Sequence, residues 1–169
     1  MNRVVRAIAL GGICAIMLTG CMTKKVPQNW YEGSLEYYKQ GFENGWKNDD
    51  SVNSEYFTDS RFGYLLQDLD GDGADELLIG IIDDAPETKF TDIIIWHRDF
   101  GPMKVFSVGD GYYMYLCDGN VIKEDMWYGS ETKVQYMVYD SKDNSFPIVD
   151  GGGTPKKFEL TEFVQNSGR

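Results

Sequence analysis

Asp68-Leu69-Asp70-Gly71-Asp72-Gly73-Ala74-Asp75-Glu76, running straight into Leu77-Leu78-Ile79-Gly80-Ile81-Ile82, decides how this chain is read. Five acids stand within nine residues. Two like charges about 5 Å apart repel by roughly 1 kcal/mol at the dielectric of water, and by several times more at an effective ε near 20. An ordinary Asp-Gly turn needs no such charge density. A hard cation does. Calcium takes about six to eight oxygens, and a loop with carboxylates at its first, third, fifth and ninth positions and a backbone carbonyl at its seventh can wrap one ion. Those positions are Asp68, Asp70, Asp72, Glu76 and the carbonyl of Ala74, and Gly73 occupies the sixth, where the chain must turn sharply. The expected cofactor is therefore Ca2+; the alternative is an acidic turn that holds no ion. The twelfth position, where an EF-hand places a bidentate Glu, is Ile79, and an apolar strand-like run follows in place of a helix. The site is thus expected to be strand-loop-strand, entered through Tyr64–Gln67 and left through Glu76–Ile82.

Outward from the loop, short segments rich in β-branched and aromatic residues recur: Asp92–His97, Met103–Val108, Tyr112–Cys117, Val121–Glu124 and Lys133–Tyr139. Gly and Asp-Gly punctuation separates most of them, which indicates an antiparallel β-meander. With the pair flanking the loop they predict a sheet of about seven strands, and Phe158 to Val164 offers one last short element. On the other side, Tyr31, Leu35, Tyr38, Phe42 and Trp46 recur every three or four residues between Trp30 and Asn48. That period predicts an amphipathic helix packed on another element. Asn48 to Ser54 reads as a polar connector. The fold class is α+β, dominated by antiparallel sheet.

The start of the chain carries a second signal. Arg3 and Arg6 precede an apolar stretch from Ala7 to Leu18, closed by Leu18-Thr19-Gly20-Cys21. The stretch is shorter than the ~20 residues a spanning helix needs and has the layout of a secretory signal. Its last four residues resemble a bacterial lipobox. That resemblance implies acylation of Cys21, cleavage just before it, and attachment to the cell membrane on the extracytoplasmic face. Residues 1–20 would then be the signal peptide, 21–29 a tether, and 30–169 one β-rich calcium-binding domain.

Asp68 to Gly80 also resembles the Asp-rich loops of integrin-α and FG-GAP propeller repeats, where the loop joins neighbouring strands; a propeller needs several blades and one copy is present. The wider segment from Tyr64 to Tyr139 looks like a domain of uncharacterised surface lipoproteins of Gram-positive bacteria.

Composition fits an exported protein. The net charge of −11 becomes −13 once Arg3 and Arg6 leave with the signal peptide, which argues against nucleic acid as a partner. Cys14 leaves as well and Cys21 would take lipid, so Cys117 alone remains and no intramolecular disulfide can form in the mature chain. No nucleophile, metalloprotease, phosphate-loop or dinucleotide motif is present, and the single histidine, His97, has no activating partner nearby. With 27 acids a glycosidase-like carboxylate pair stays open as the alternative. Tyr113, Tyr115, Trp127 and Tyr128 form a candidate ligand-binding face for an envelope protein or glycan, although tyrosine is equally at home on a half-exposed sheet. The expectation is a calcium-binding, lipid-anchored surface protein acting as a non-catalytic binding module, with a carboxylate-dependent envelope hydrolase as the alternative.

Overall fold

A computed structural model describes residues 28–46, 60–108 and 112–163. The expected signal peptide, Cys21, the tether up to residue 27 and the polar connector Asn48 to Ser54 lie outside the described residues.

A 3-10 turn, Gln28–Tyr31, leads into helix α1, Glu32–Asn44. The aromatic spacing holds from Leu35 to Phe42, which pack on the same side as buried Tyr38; Tyr31 and Trp46 are buried too, but from the turns on either side of the helix. The helix stops before the expected Asn48 because Gly45 adopts the left-handed conformation, φ 66°. There a residue without Cβ is unstrained. The Trp46 N–H then donates to the Gly41 carbonyl at 2.9 Å. The Trp46 ring folds back onto Gly41, where a Cβ would lie 2.4 Å from it.

Among the described residues eight strands follow: β1 Arg61–Gln67, β2 Glu76–Ile82, β3 Lys89–His97, β4 Gly101–Ser107, β5 Tyr112–Leu116, β6 Ile122–Tyr128, β7 Glu131–Met137 and β8 Thr161–Glu162. All pairings are antiparallel, in the order β7-β6-β5-β3-β2-β1-β8. The architecture is α+β with an antiparallel sheet. It departs from a plain meander at β4, which among the described strands pairs only with β3. The nine-residue β3 is long enough to offer Lys89–Phe90 to β5 and Asp92–His97 to β4, while β2 takes its opposite edge. Two bulges interrupt the pairing: Thr91 is the extra residue on β3 opposite Ile79/Gly80, and Val105 is the extra residue on β4 opposite Ile93/Ile94. Such bulges bend and twist the strand that carries them.

Apolar residues fill both faces of the central strands, as the unbroken run Leu77–Ile82 requires. On one face Phe62, Leu77, Ile79, Ile94 and Phe163 meet α1. On the other, Leu78, Phe90, Ile93, Ile95, Met114, Leu116 and Ile122 join Met137, Tyr139 and Leu69 of the acidic loop.

Beyond β7 the chain doubles back, with isolated bridges Asp140↔Ser145 and Met137↔Ile148, then crosses the sheet as a strap. The Lys156 N–H donates to the Leu116 carbonyl at 3.0 Å, the Thr88 N–H to the Lys156 carbonyl at 2.9 Å, and β8 pairs with β1 at Gly63 and Tyr64. Phe158 and Leu160 pack on the core as the strap passes. Gly63 makes room for it: a Cβ there would lie 2.7 Å from the Thr161 carbonyl oxygen and 2.9 Å from Leu160 Cβ.

Candidate metal centre

The acidic loop is the turn between β1 and β2, whose register runs from Arg61↔Ile82 to Gln67↔Glu76 without a shift. Glu76 is therefore the first residue of β2, placed on the sheet rather than in the turn. Gly71 and Gly73 take positive φ of 79° and 91° and let the chain fold over the acids.

Backbone N–H groups inside the loop set the carboxylates. Asp68 accepts from Gly71 at 2.7 Å through one oxygen and from Gly73 at 3.0 Å through the other. Asp70 Oδ1 accepts from Asp72 at 3.1 Å, Asp72 Oδ1 from Ala74 at 2.7 Å, and Glu76 Oε2 from Leu69 at 2.8 Å. These are the short side-chain-to-backbone contacts by which Asp favours turns. Each oxygen so engaged keeps lone-pair capacity for a cation.

Asp68, Asp70 and Glu76 each present a ligand atom within 4.8 Å of the other two. Glu76 is buried, while Asp68 and Asp70 are partly exposed. Of the five residues expected to surround an ion, these three converge. Asp72 lies outside that group and is exposed, and Ala74 donates to it while packing partly against the helix-side core. Burial pushes the Glu76 carboxyl up to about 8; the Leu69 N–H opposes this, and the charges of Asp70, Asp72 and Asp68 add to it. A divalent cation reverses that balance, because it stabilises the ionised form. Three converging carboxylates suit a hard cation such as Ca2+ or Mg2+.

Three distant segments hold the loop in place. Asn120 Nδ2 donates to the Asp68 carbonyl at 2.6 Å and Gln67 Nε2 to the same oxygen at 3.3 Å. The Tyr31 hydroxyl donates to the Asp75 carbonyl at 2.9 Å, tying the helix entrance to the loop. Ser141 contacts Asp70 Oδ2 through its backbone N–H and its hydroxyl. None of these partners carries a metal-site pattern in the sequence. Ser141 lies in a recognisable turn, Asp140 to Asp143, but nothing local says where that turn docks.

The proposed aromatic face is split by the β5–β6 register. Tyr113 pairs with Asp125 and Tyr115 with Lys123, so Tyr113, Tyr115 and Trp127 share one face. Tyr128 lies on the opposite face and meets Tyr112 edge-on at 6.2 Å. Lys89 sits 5.3 Å from the Tyr113 ring centre and Lys123 4.9 Å from that of Tyr115. Trp127 stays more than half exposed.

His97 Nδ1 accepts the Asp99 N–H at 3.1 Å and so braces a turn. Cys117 is buried and free, and burial raises its thiol pKa. Asp92 and Glu124 are the buried acids outside the loop among the described residues. Asp92 faces α1, where Ser107 donates to it at 2.7 Å and Lys104 stands 3.5 Å away. Glu124 is beside Met114 on the other face and accepts from Gln135. Among the described residues no helix is long and apolar enough to cross a membrane. No protein-family model, curated protein or solved structure matches the chain.

Proposed function

We propose that this chain is a calcium-binding, lipid-anchored protein of the bacterial cell envelope, acting as a non-catalytic binding module. The observation that carries the calcium reading is the convergence of Asp68, Asp70 and buried Glu76 within 4.8 Å at a loop braced by three distant segments. An ion there neutralises mutually repelling charges and fixes the junction of helix entrance, β5–β6 turn and Ser141 turn. The lipid anchor rests on Leu18-Thr19-Gly20-Cys21 following the apolar stretch.

For the binding role, Tyr113, Tyr115 and Trp127 on one sheet face supply a surface for an envelope protein or glycan. The hydrolase reading draws less support: Asp92 and Glu124 lie on opposite sheet faces, each engaged by neighbouring side chains. Calorimetric titration of the EDTA-treated protein with calcium tests the cation site. Saturable binding at roughly 10⁻⁴ to 10⁻³ M, the range of extracellular calcium modules, is expected. Absence of binding heat up to 10 mM calcium would leave Asp68 to Glu76 as an acidic turn.

A further inference from the structure

The tip of the β3–β4 hairpin is unusually apolar for a protein of net charge −11. Trp96, Phe100 and Met103 are exposed there, Phe100 to 73%. Trp30, from the turn ahead of α1, is also exposed and lies 4.8 Å from Trp96, ring centre to ring centre. The tip is well formed: Gly101 turns at φ 74°, the Trp96 ring lies 3.8 Å from where a Gly101 Cβ would stand, and Phe100 packs on His97 at 4.8 Å. Trp96 and His97 point to opposite faces of β3, so the tip is a wedge with an aromatic ring on each side.

The position of this wedge along the chain identifies its occupant. Trp30 follows Cys21 by nine residues. Even fully extended, that length spans only about 30 Å. If Cys21 carries lipid, the corner bearing Trp30 and Trp96 is the part of the domain held nearest the bilayer. Charge points the same way. Lys24 and Lys25 lie in the tether and Arg98 at the tip, offset by Asp99 and by Glu32 at the start of α1, whereas the rest of this acidic chain is repelled by anionic headgroups. Tryptophan and arginine are suited to the headgroup boundary, where the ring is half buried and the polar edge stays wet.

We infer that Trp30, Trp96 and Phe100 rest in the headgroup region of the membrane that anchors the chain, fixing the orientation of the domain. This rests on the lipid-anchor reading. It adds a second, protein-borne contact to the acyl chains, the kind of paired signal that makes anchoring stable.

The test uses the full lipidated protein reconstituted into phosphatidylcholine–phosphatidylglycerol vesicles with brominated acyl chains. Flotation and incorporation of labelled fatty acid report the anchor, and tryptophan emission reports the contact. Bromolipid within reach of Trp30 and Trp96 should lower their emission about twofold, as expected for rings at headgroup depth. Trp30→Phe with Trp96→Phe should abolish this quenching, leaving the emission of Trp46 and Trp127 insensitive to bromolipid. Phe100→Ser, at an exposed position that folding does not need, should weaken it. Flotation without quenching overturns the contact and leaves the anchor standing. Rings shielded from aqueous iodide yet unquenched by bromolipid would put a second copy or an envelope protein on the wedge, which also overturns it. Loss of both flotation and label overturns the anchor and this inference together.

Discussion

Asp70 Oδ2 accepts hydrogen bonds from both the backbone N–H and the hydroxyl of Ser141, 71 positions later in the chain. One carboxylate thus belongs to the candidate cation site and to the clasp that holds the site against the rest of the fold. Effects of substitution at Asp70 therefore separate into a cation part and a docking part.

At ten times its dissociation constant, calcium bound only to the folded state contributes about RT ln 11, or ~1.4 kcal/mol. For a domain of this size that raises the melting temperature by roughly 3–6 °C. Magnesium, with its small octahedral shell, should do less. Asp70→Ala should abolish the response, Ser141→Ala should weaken it, and Asp72→Asn should retain most of it because Asp72 stands outside the converging three. Equal loss in the Asp70 and Asp72 variants, read by thermal melts with and without calcium, would contradict this arrangement.

Glu76→Gln separates cation binding from structure. The amide oxygen can still accept the Leu69 N–H, and the substitution removes an acid whose ionised form is disfavoured by burial and by Asp70, Asp72 and Asp68. In EDTA the variant should melt at or above the wild-type temperature, yet it should lose the calcium-dependent rise. A large drop in EDTA would assign Glu76 a purely structural role.

Alkaline stability should depend on Tyr38. Burial, followed by the charge of Asp92 and a hydrogen bond to it, raises the Tyr38 phenol well above its ordinary 10.0. Its folded-state pKa exceeds the unfolded value, so the associated stability is fully present below pH 10 and is lost as pH rises beyond it. Melting temperatures should fall from about pH 10 upward, less steeply in Tyr38→Phe. At pH 7 that variant should cost about 1 kcal/mol for the lost hydrogen bond. Parallel pH profiles for the two proteins would refute the assignment.

Gly63→Ala should loosen the strap. The added methyl meets the backbone carbonyl of Thr161, which cannot swing aside as a flexible side chain would. A loss of about 1–3 kcal/mol is expected, as for other overpacked sites. Amide exchange should quicken first at Phe163, whose N–H donates to the Phe62 carbonyl at 3.0 Å. Unchanged exchange there would show that the sheet accommodates the methyl.

Cys21→Ser should abolish incorporation of labelled fatty acid and partition into detergent. Membrane retention without label, equal in both proteins, would point instead to an uncleaved apolar segment.

Local pattern made much of this fold readable. The helix face was legible because Leu35, Tyr38 and Phe42 recur at helical spacing, and β2 because its apolar run is bounded by acids; Trp46, read as the next turn of that face, is buried by folding back beyond the helix end. The helix end was not, since Gly45 acts through a left-handed cap rather than through periodicity. Pairing partners were less legible still. Nothing in Tyr112–Leu116 states that it passes β4 by and pairs with β3, and nothing in Thr161–Glu162 names β1 as its neighbour. The acids of the loop could be read, but the absence of Asp72 from the converging group and the roles of Asn120 and Ser141 depend on contacts 52 and 71 residues apart. Tyr128 was grouped with Tyr113 because the strand was expected to end at Glu124; with β6 running to Tyr128, adjacent Trp127 and Tyr128 must face opposite ways, and the pairing with β5 puts Trp127 beside Tyr113.

The strap also leaves the edge of β1 dependent on residues near the end of the described chain. Because β8 closes on β1 and residues 155–156 bridge to Cys117 and Leu116, the N-terminal strands keep an open edge until the last part of the chain has arrived. Long-range closures of this kind fold slowly, and they leave strand edges exposed in the meantime. A chain delivered across a membrane N-terminus first would therefore emerge with β1 unpartnered on one side, acquiring its finished edge only when the strap crosses the sheet. For such a protein the hazardous interval lies between export and strap closure, and variants that delay the strap should aggregate in proportion to the delay rather than to their final stability.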